Sequence, residues 1–190
     1  MAITFEELKA IADGTDLKKF CDPEKQALLF LGLGKVGVCH LLVRLLEDGE
    51  GILFRVPYIA TVSPDHPHLT KALLMLLAEN HRVKIGRFCY DLDDGEVYLD
   101  WFLPVEDGTL TSHQLARCLK ALMVLADEAG VRLKHLLETG EDLPEERRIE
   151  GMLRRFLSGG LSEEAEVRLR RLFQDLEAST EENEEDEPKE

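Results

Sequence analysis

Val83-Lys-Ile-Gly-Arg-Phe-Cys-Tyr-Asp-Leu-Asp-Asp-Gly-Glu-Val-Tyr-Leu-Asp-Trp-Phe102 is the stretch whose reading decides the fold. Asp94-Gly95 occupies the two central positions of a hairpin turn. A type I′ turn needs positive φ at both, which Asp tolerates and Gly adopts freely. The expected register sets Leu92 opposite Val97, Tyr90 opposite Leu99 and Phe88 opposite Trp101 on one apolar face. Asp91 then meets Tyr98, Cys89 meets Asp100 and Arg87 meets Phe102 on a mixed face. A one-residue slip would exchange the two faces, so alternation and turn support each other. After a loop at Pro104 to Gly108, Thr111-x-x-Gln114 forms a capping box with a Leu110–Leu115 staple. Leu115, Leu119, Leu122 and Ala126 follow at helical spacing, and Gly130 is expected to close that helix at C′. A short helix from Val131 to Glu138 is expected next, ended by Thr139-Gly140.

Upstream, Thr4-x-x-Glu7 is a second capping box. Phe5, Leu8, Ile11 and Ala12 make the stripe of a short helix, loosely continued by Leu17 and Phe20 up to Asp22-Pro23. Residues 26 to 62 admit two readings. Gly32-x-Gly34-x-x-Gly37 after an apolar run has the spacing of a dinucleotide-binding loop, which requires a helix from Val38 to Glu47. No acid sits near the end of the next strand, where Arg55 and Val56 stand instead. The second reading is a meander. Asp48-Gly49 turns a hairpin that pairs Leu45 with Ile52, Val43 with Phe54 and Leu41 with Val56. Arg44 and Arg55 then share the other face with Leu42 and Leu53, and the periodicity favours this version. Asp65 is the expected N-cap of a helix whose apolar face holds Leu69, Leu73, Leu76, Leu77 and Asn80.

The extension has its own pattern. Ile149, Met152, Leu153, Phe156 and Leu157 make one amphipathic stripe, and Ala165, Leu169, Leu172, Phe173 and Leu176 make another. Ser158-Gly159-Gly160 separates them, so residues 143–177 are expected to form a helical hairpin. Residues 178–190 carry seven acids and one Lys and are expected to be a disordered acidic tail.

Composition bounds the function. A chain of 190 residues with 44% hydrophobic content can bury a core. The net charge of −15, of which the tail supplies −6, argues against nucleic acid and anionic membrane as main partners. No apolar run approaches the roughly 20 residues of a membrane helix. The opening residues lack a basic n-region, so a cytoplasmic location is expected. Cys21, Cys39, Cys89 and Cys118 form no Cys-x-x-Cys pair and are expected to be free, mostly buried thiols.

The residues with chemical potential do not assemble into a reaction. His66 and His68 lack a third metal ligand at suitable spacing, and His113 five residues before Cys118 is better read as a solvated His beside a core thiol. Asp93, Asp94, Glu96, Glu106 and Asp107 could draw Ca²⁺, yet they lack EF-hand spacing and turn chemistry accounts for them. There is neither a Gly-x-Ser-x-Gly elbow nor a Gly-Lys-Ser/Thr phosphate loop. The pairs Arg147-Arg148, Arg154-Arg155 and Arg170-Arg171 alternate with Glu and read as a solvated face. No catalytic set, metal or cofactor is expected.

Several of these segments resemble the YbjN-domain family, described as candidate bacterial sensory transduction regulators and similar in fold to type III secretion chaperones. The resembling segments are Val83-Lys-Ile-Gly-Arg-Phe88, Asp93-Asp-Gly-Glu-Val97, Asp107-Gly-Thr-Leu-Thr111 and Leu137-Glu-Thr-Gly-Glu-Asp142. Phe54-Arg-Val-Pro-Tyr58 and Pro64-Asp-His-Pro-His-Leu69 also fit. The resemblance covers Phe5 to Asp142 and carries no catalytic residues across. It implies an α+β domain over residues 1–142, in the order α-β-β-β-α-β-β-α. The five-stranded, mainly antiparallel sheet would have its helices on one face. The function it implies is a non-enzymatic protein-interaction module, chaperone-like or regulatory. The alternative is a nucleotide-binding enzyme using Gly32, Gly34 and Gly37. The expected interaction face is the sheet's second face, with Leu42, Arg44, Leu53, Arg55, Tyr98 and Phe102. Its cover could be the C-terminal hairpin, a client protein or a second copy of the chain. Secretion chaperones commonly pair, so a homodimer through this face or its edge is the expectation.

Overall fold

The computed structural model describes residues 2–15, 17–33, 38–106 and 108–144. The chain divides into two compact units, Met1–Asp142 and Leu143–Glu190, and the architecture below is that of the first. The expected helical hairpin and acidic tail lie outside the described residues, apart from Leu143 and Pro144.

The element order is α1 (Phe5–Asp13), β1 (Lys19–Asp22), β2 (Ala27–Leu33), β3 (Val38–Leu46), β4 (Gly51–Thr61), α2 (Leu69–Arg82), β5 (Arg87–Tyr90), β6 (Glu96–Pro104) and α3 (Ser112–Thr139). The strands form one antiparallel sheet in the order β1-β2-β3-β4-β6-β5. The α+β class holds, with six strands rather than the expected five. The added strand is β1, where Leu17 and Phe20 suggested a frayed continuation of α1. Gly14 instead ends α1 by donating its N–H back to Ile11 and Ala12. Phe20 then pairs with Leu29 across a turn closed by the bond from Gln26 N–H to the Pro23 carbonyl.

Both capping boxes form as read. Thr4 and Glu7 bond reciprocally at α1, and Thr111 and Gln114 do so at α3. Gly130 does not end α3, which runs unbroken to Thr139. The glycine that closes it is Gly140, at φ +79. Gly130 is buried inside the helix, whereas Gly140 takes the left-handed conformation common at helix ends and donates its N–H to the Leu136 carbonyl. At α2 the expected Asp65 cap is also wrong. The helix starts at Leu69 after His68, which makes no side-chain cap bond, while the Asp65 N–H is held by the Ser63 hydroxyl at 3.3 Å. Its buried side is Ala72, Met75 and Leu76, and Leu77 from the expected stripe is exposed.

All three helices contribute to one core against one sheet face: Leu8 and Ala12 from α1, Ala72 and Leu76 from α2, and Leu115 through Leu136 from α3. The sheet supplies Leu28, Phe30, Leu41, Val43, Ile52, Phe54, Val97 and Leu99, alternate positions of each strand, and those from β3, β4 and β6 are on the side that alternation predicts. Arg132 of α3 is buried and bound on both sides. It donates from Nη1 to Glu79 of α2 and from Nε and Nη2 to Asp142, so the ion cluster ties α3 to α2 and to the chain after it. An isolated buried guanidinium would be costly, and the two carboxylates offset that cost.

Candidate interaction face

The second sheet face is built by strand parity alone. With Leu41, Val43 and Leu45 turned inward, Leu42, Arg44 and Leu46 must turn outward, and the same holds for Leu53 and Arg55 on β4 and Tyr98, Asp100 and Phe102 on β6. The register then lines up rungs across the sheet. One runs from edge to edge: Phe20, Leu29, Leu42, Arg55, Asp100 and Arg87 are successive Cα partners. Its β1–β3 half is apolar and its β4–β5 half is charged. A second rung joins Ala27, Arg44, Leu53 and Phe102. The six residues expected on this face do share it, and no described helix packs on it. Sequence reading missed Phe20, whose segment reads as a helix tail, and it missed Leu29 and Leu31, because Leu28-Leu-Phe-Leu31 is apolar at every position and alternation cannot divide it between two faces.

The charged half is a closed cluster. Arg55 holds Asp100 in a two-pronged pair, Nε to Oδ1 at 2.7 Å and Nη2 to Oδ2 at 2.5 Å. Its guanidinium lies 4.4 Å from the centre of the Tyr98 ring. The hydrogen bond to Asp100 is the main reason the Arg55 pKa is raised, so this side chain is a permanent cation. Cys89, opposite Tyr98, has its thiol pushed up by burial and then by the Asp100 charge. Burial likewise raises the Tyr98 phenol, with Cys89 adding to it. A protonated thiol beside a protonated phenol has no nucleophile to offer at neutral pH.

A separate cleft of about 150 Å³ opens where β3 and β4 cease to pair, lined by Cys39, His40, Pro57, Tyr58 and Asp127 among others. Pro57 lacks an N–H, and β4 bulges between Val56 and Ala60. Burial, with Asp127 adding, pushes the Cys39 thiol up to about 11, so it too is unreactive near neutrality. The four thiols are free; Cys21 is exposed and the other three are partly buried, against the expectation of mostly buried thiols. Among the described residues no group of three or more His, Cys, Asp or Glu could hold a metal ion, and no helix is long and apolar enough to cross a membrane.

The glycine triplet does not lead into a helix. Val38–Leu46 is strand β3, so the helix N-terminus a pyrophosphate would need is missing from that position. Gly32 pairs with Cys39 within the sheet and leaves room for α3, since a Cβ there would lie 2.9 Å from Met123 Sδ. Gly34 and Gly37 lie outside the described residues.

No protein-family model and no curated protein matches the sequence. A solved structure does match the chain's shape. YbjN from E. coli, a candidate transcription regulator, superposes with a TM-score of 0.51 at 19% identity, over 76% of this chain and 98% of that one. The fold is YbjN-like. At that identity the likeness concerns the fold alone. YbjN is matched almost end to end.

Proposed function

We propose that this chain is a non-enzymatic protein-interaction module of the YbjN-domain family, chaperone-like or regulatory, that holds a protein segment on the second face of its sheet. One observation carries this reading. The edge-to-edge rung presents Leu29 and Leu42 beside the Arg55–Asp100 pair, with Leu53 and Phe102 on the rung below. An apolar patch next to fixed charges suits an amphipathic peptide, which buries its apolar side and aligns its polar side. Tyr98 and Phe102 are the natural aromatic anchors. The net charge of −15 keeps polyanions away and directs the reading to protein rather than to nucleic acid or membrane. A cytoplasmic location accords with it.

Peptides selected on the full chain from a random display library test this. Their affinity should fall tenfold or more in a Leu42→Asp, Phe102→Asp variant whose melting temperature is retained. Undiminished binding by that variant would move the site elsewhere. Millimolar NAD or ATP should leave the melting temperature unchanged, and a rise of several degrees would favour a nucleotide-binding protein instead.

A further inference from the structure

The two edges of the sheet are finished differently. At β5, Asn80 of α2 donates from Nδ2 to the Phe88 carbonyl at 2.9 Å, and its Oδ1 accepts the Phe88 N–H at 2.7 Å. A side-chain amide thus takes the place of a neighbouring strand. At β1 the described residues provide no such cover. The Lys18 carbonyl accepts the Leu31 N–H at 3.4 Å, so the even-numbered residues of this strand turn their backbone groups toward β2. By alternation, the N–H and C=O of Lys19 and Cys21 point outward. Phe20 between them is 60% exposed. An uncovered edge of this kind is a template for another strand.

We propose that β1 is a pairing site for a second copy of this chain, in an antiparallel two-fold arrangement centred on Phe20. The occupant follows from the register. Hydrogen-bonded pairs must join outward-facing residues, so Lys19 lies opposite the partner's Cys21 and Cys21 opposite the partner's Lys19. That makes four backbone hydrogen bonds. Phe20 then meets the partner's Phe20 at the non-hydrogen-bonded position, where Cα atoms approach to about 4.5 Å and aromatic side chains touch. Lys18 falls opposite the partner's Asp22 on the same face, a pairing of opposite charges on each side of the rings. Asp22 keeps a 3.6 Å contact to Lys25 of its own turn and remains 44% exposed. The neighbouring registers that parity allows lose both features. One sets Lys19 against the partner's Lys19, and the other sets Phe20 against the partner's Asp22. Closed two-fold symmetry requires such a self-complementary segment, and Lys18 to Asp22 is one.

The pairing joins two apolar half-rungs. Phe20, Leu29 and Leu42 of each copy would abut across the axis, leaving the charged Arg55 clusters at the outer ends. The inference does not rest on the peptide-binding reading above, since the edge groups it uses are backbone groups of β1. Four hydrogen bonds and one aromatic pair make a dimer that dissociates on dilution.

Light scattering on the full chain at tens of micromolar should give twice the 21.5 kDa chain mass. Cys21→Pro removes an outward N–H without touching the β1–β2 ladder, and it should give a monomer with the melting temperature retained. Phe20→Lys serves the same purpose should the proline disturb the strand. Phe20→Cys in a Cys21→Ser background should cross-link to a covalent dimer on mild oxidation, because the spacing across the axis is within disulfide reach. A monomer at these concentrations, or a dimer that survives both Cys21→Pro and Phe20→Lys, would overturn the proposal.

Discussion

The two acidic hairpins look alike in sequence, Glu47-Asp-Gly-Glu50 and Asp93-Asp-Gly-Glu96, yet only the first has the register its turn suggests. In β3–β4, Leu45 faces Ile52 and Val43 faces Phe54, as read. In β5–β6, Phe88 faces Leu99 rather than Trp101, and Tyr90 faces Val97 rather than Leu99, a slide of two residues. Both loops hold four residues, bounded by Leu46 and Gly51 in one and by Asp91 and Glu96 in the other. The glycine is third in the first loop and fourth in the second. In the first, Glu47, Asp48 and Gly49 all take positive φ. In the second only Gly95 does, at +75, and two side-chain bonds shape the rest: Asp91 accepts the Asp93 N–H and Asp94 accepts the Glu96 N–H, each at 2.9 Å. The slide leaves every face intact because side chains repeat every two residues. Trp101 still turns to the core, but its ring partner is Phe54 of β4, at 5.1 Å. Leu92 leaves the sheet for the loop and is 78% exposed.

This difference can be sharpened by substitution. The largest effect is expected at the seam the hairpins share. Phe54 is fully buried between Val43 and Trp101, and Phe54→Ala should cost about 3–5 kcal/mol in denaturant unfolding. Trp101→Ala should cost less, since its ring is only partly buried. The reverse order would place the centre of the seam on β6. Next come the turn glycines. A Cβ at Gly49 would lie 2.2 Å from the Ile3 carbonyl oxygen and one at Gly95 would lie 2.4 Å from that of Val62, both at positive φ. Gly49→Ala and Gly95→Ala should each cost about 1–3 kcal/mol. Gly32→Ala should cost less, because the atom in its way is the flexible end of Met123. Asp94→Ala removes one turn bond and should cost about 1 kcal/mol, a loss that chemical denaturation can resolve. The smallest effect discriminates the registers most sharply. Leu92→Ala should change stability by less than about 0.5 kcal/mol. A loss above about 2 kcal/mol would mean that Leu92 is buried opposite Val97 after all.

The second sheet face was legible to the extent that alternation made it so. Leu42, Arg44, Leu53, Arg55, Tyr98 and Phe102 were assigned to one face from spacing, and they share it. The Arg55–Asp100 pair was not visible, because the predicted register set Asp100 against Cys89 and said nothing of β4 beside β6. That adjacency places a strand from before α2 next to one from after it. Helix ends show the same division. The Thr111 and Gln114 exchange spans four residues and can be read directly, whereas the choice between Gly130 and Gly140 depends on what α3 packs against.

What the sequence determined by itself is local and periodic: two capping boxes, two acidic turns, and which side of each of the strands from β3 to β6 is wet. These follow from interactions within about one helical turn or one strand pleat, where neighbouring residues suffice. Tertiary structure decided the rest. It set the two-residue slide, turned Lys19 to Asp22 from an apparent helix tail into an edge strand, carried α3 past Gly130, and covered one sheet edge with Asn80 while, among the described residues, nothing covers the other. Each of these choices compares alternatives that satisfy the local pattern equally well. Only contacts between different elements, such as Gly95 against Val62, Asn80 against Phe88 and Arg132 against Glu79, separate them in energy.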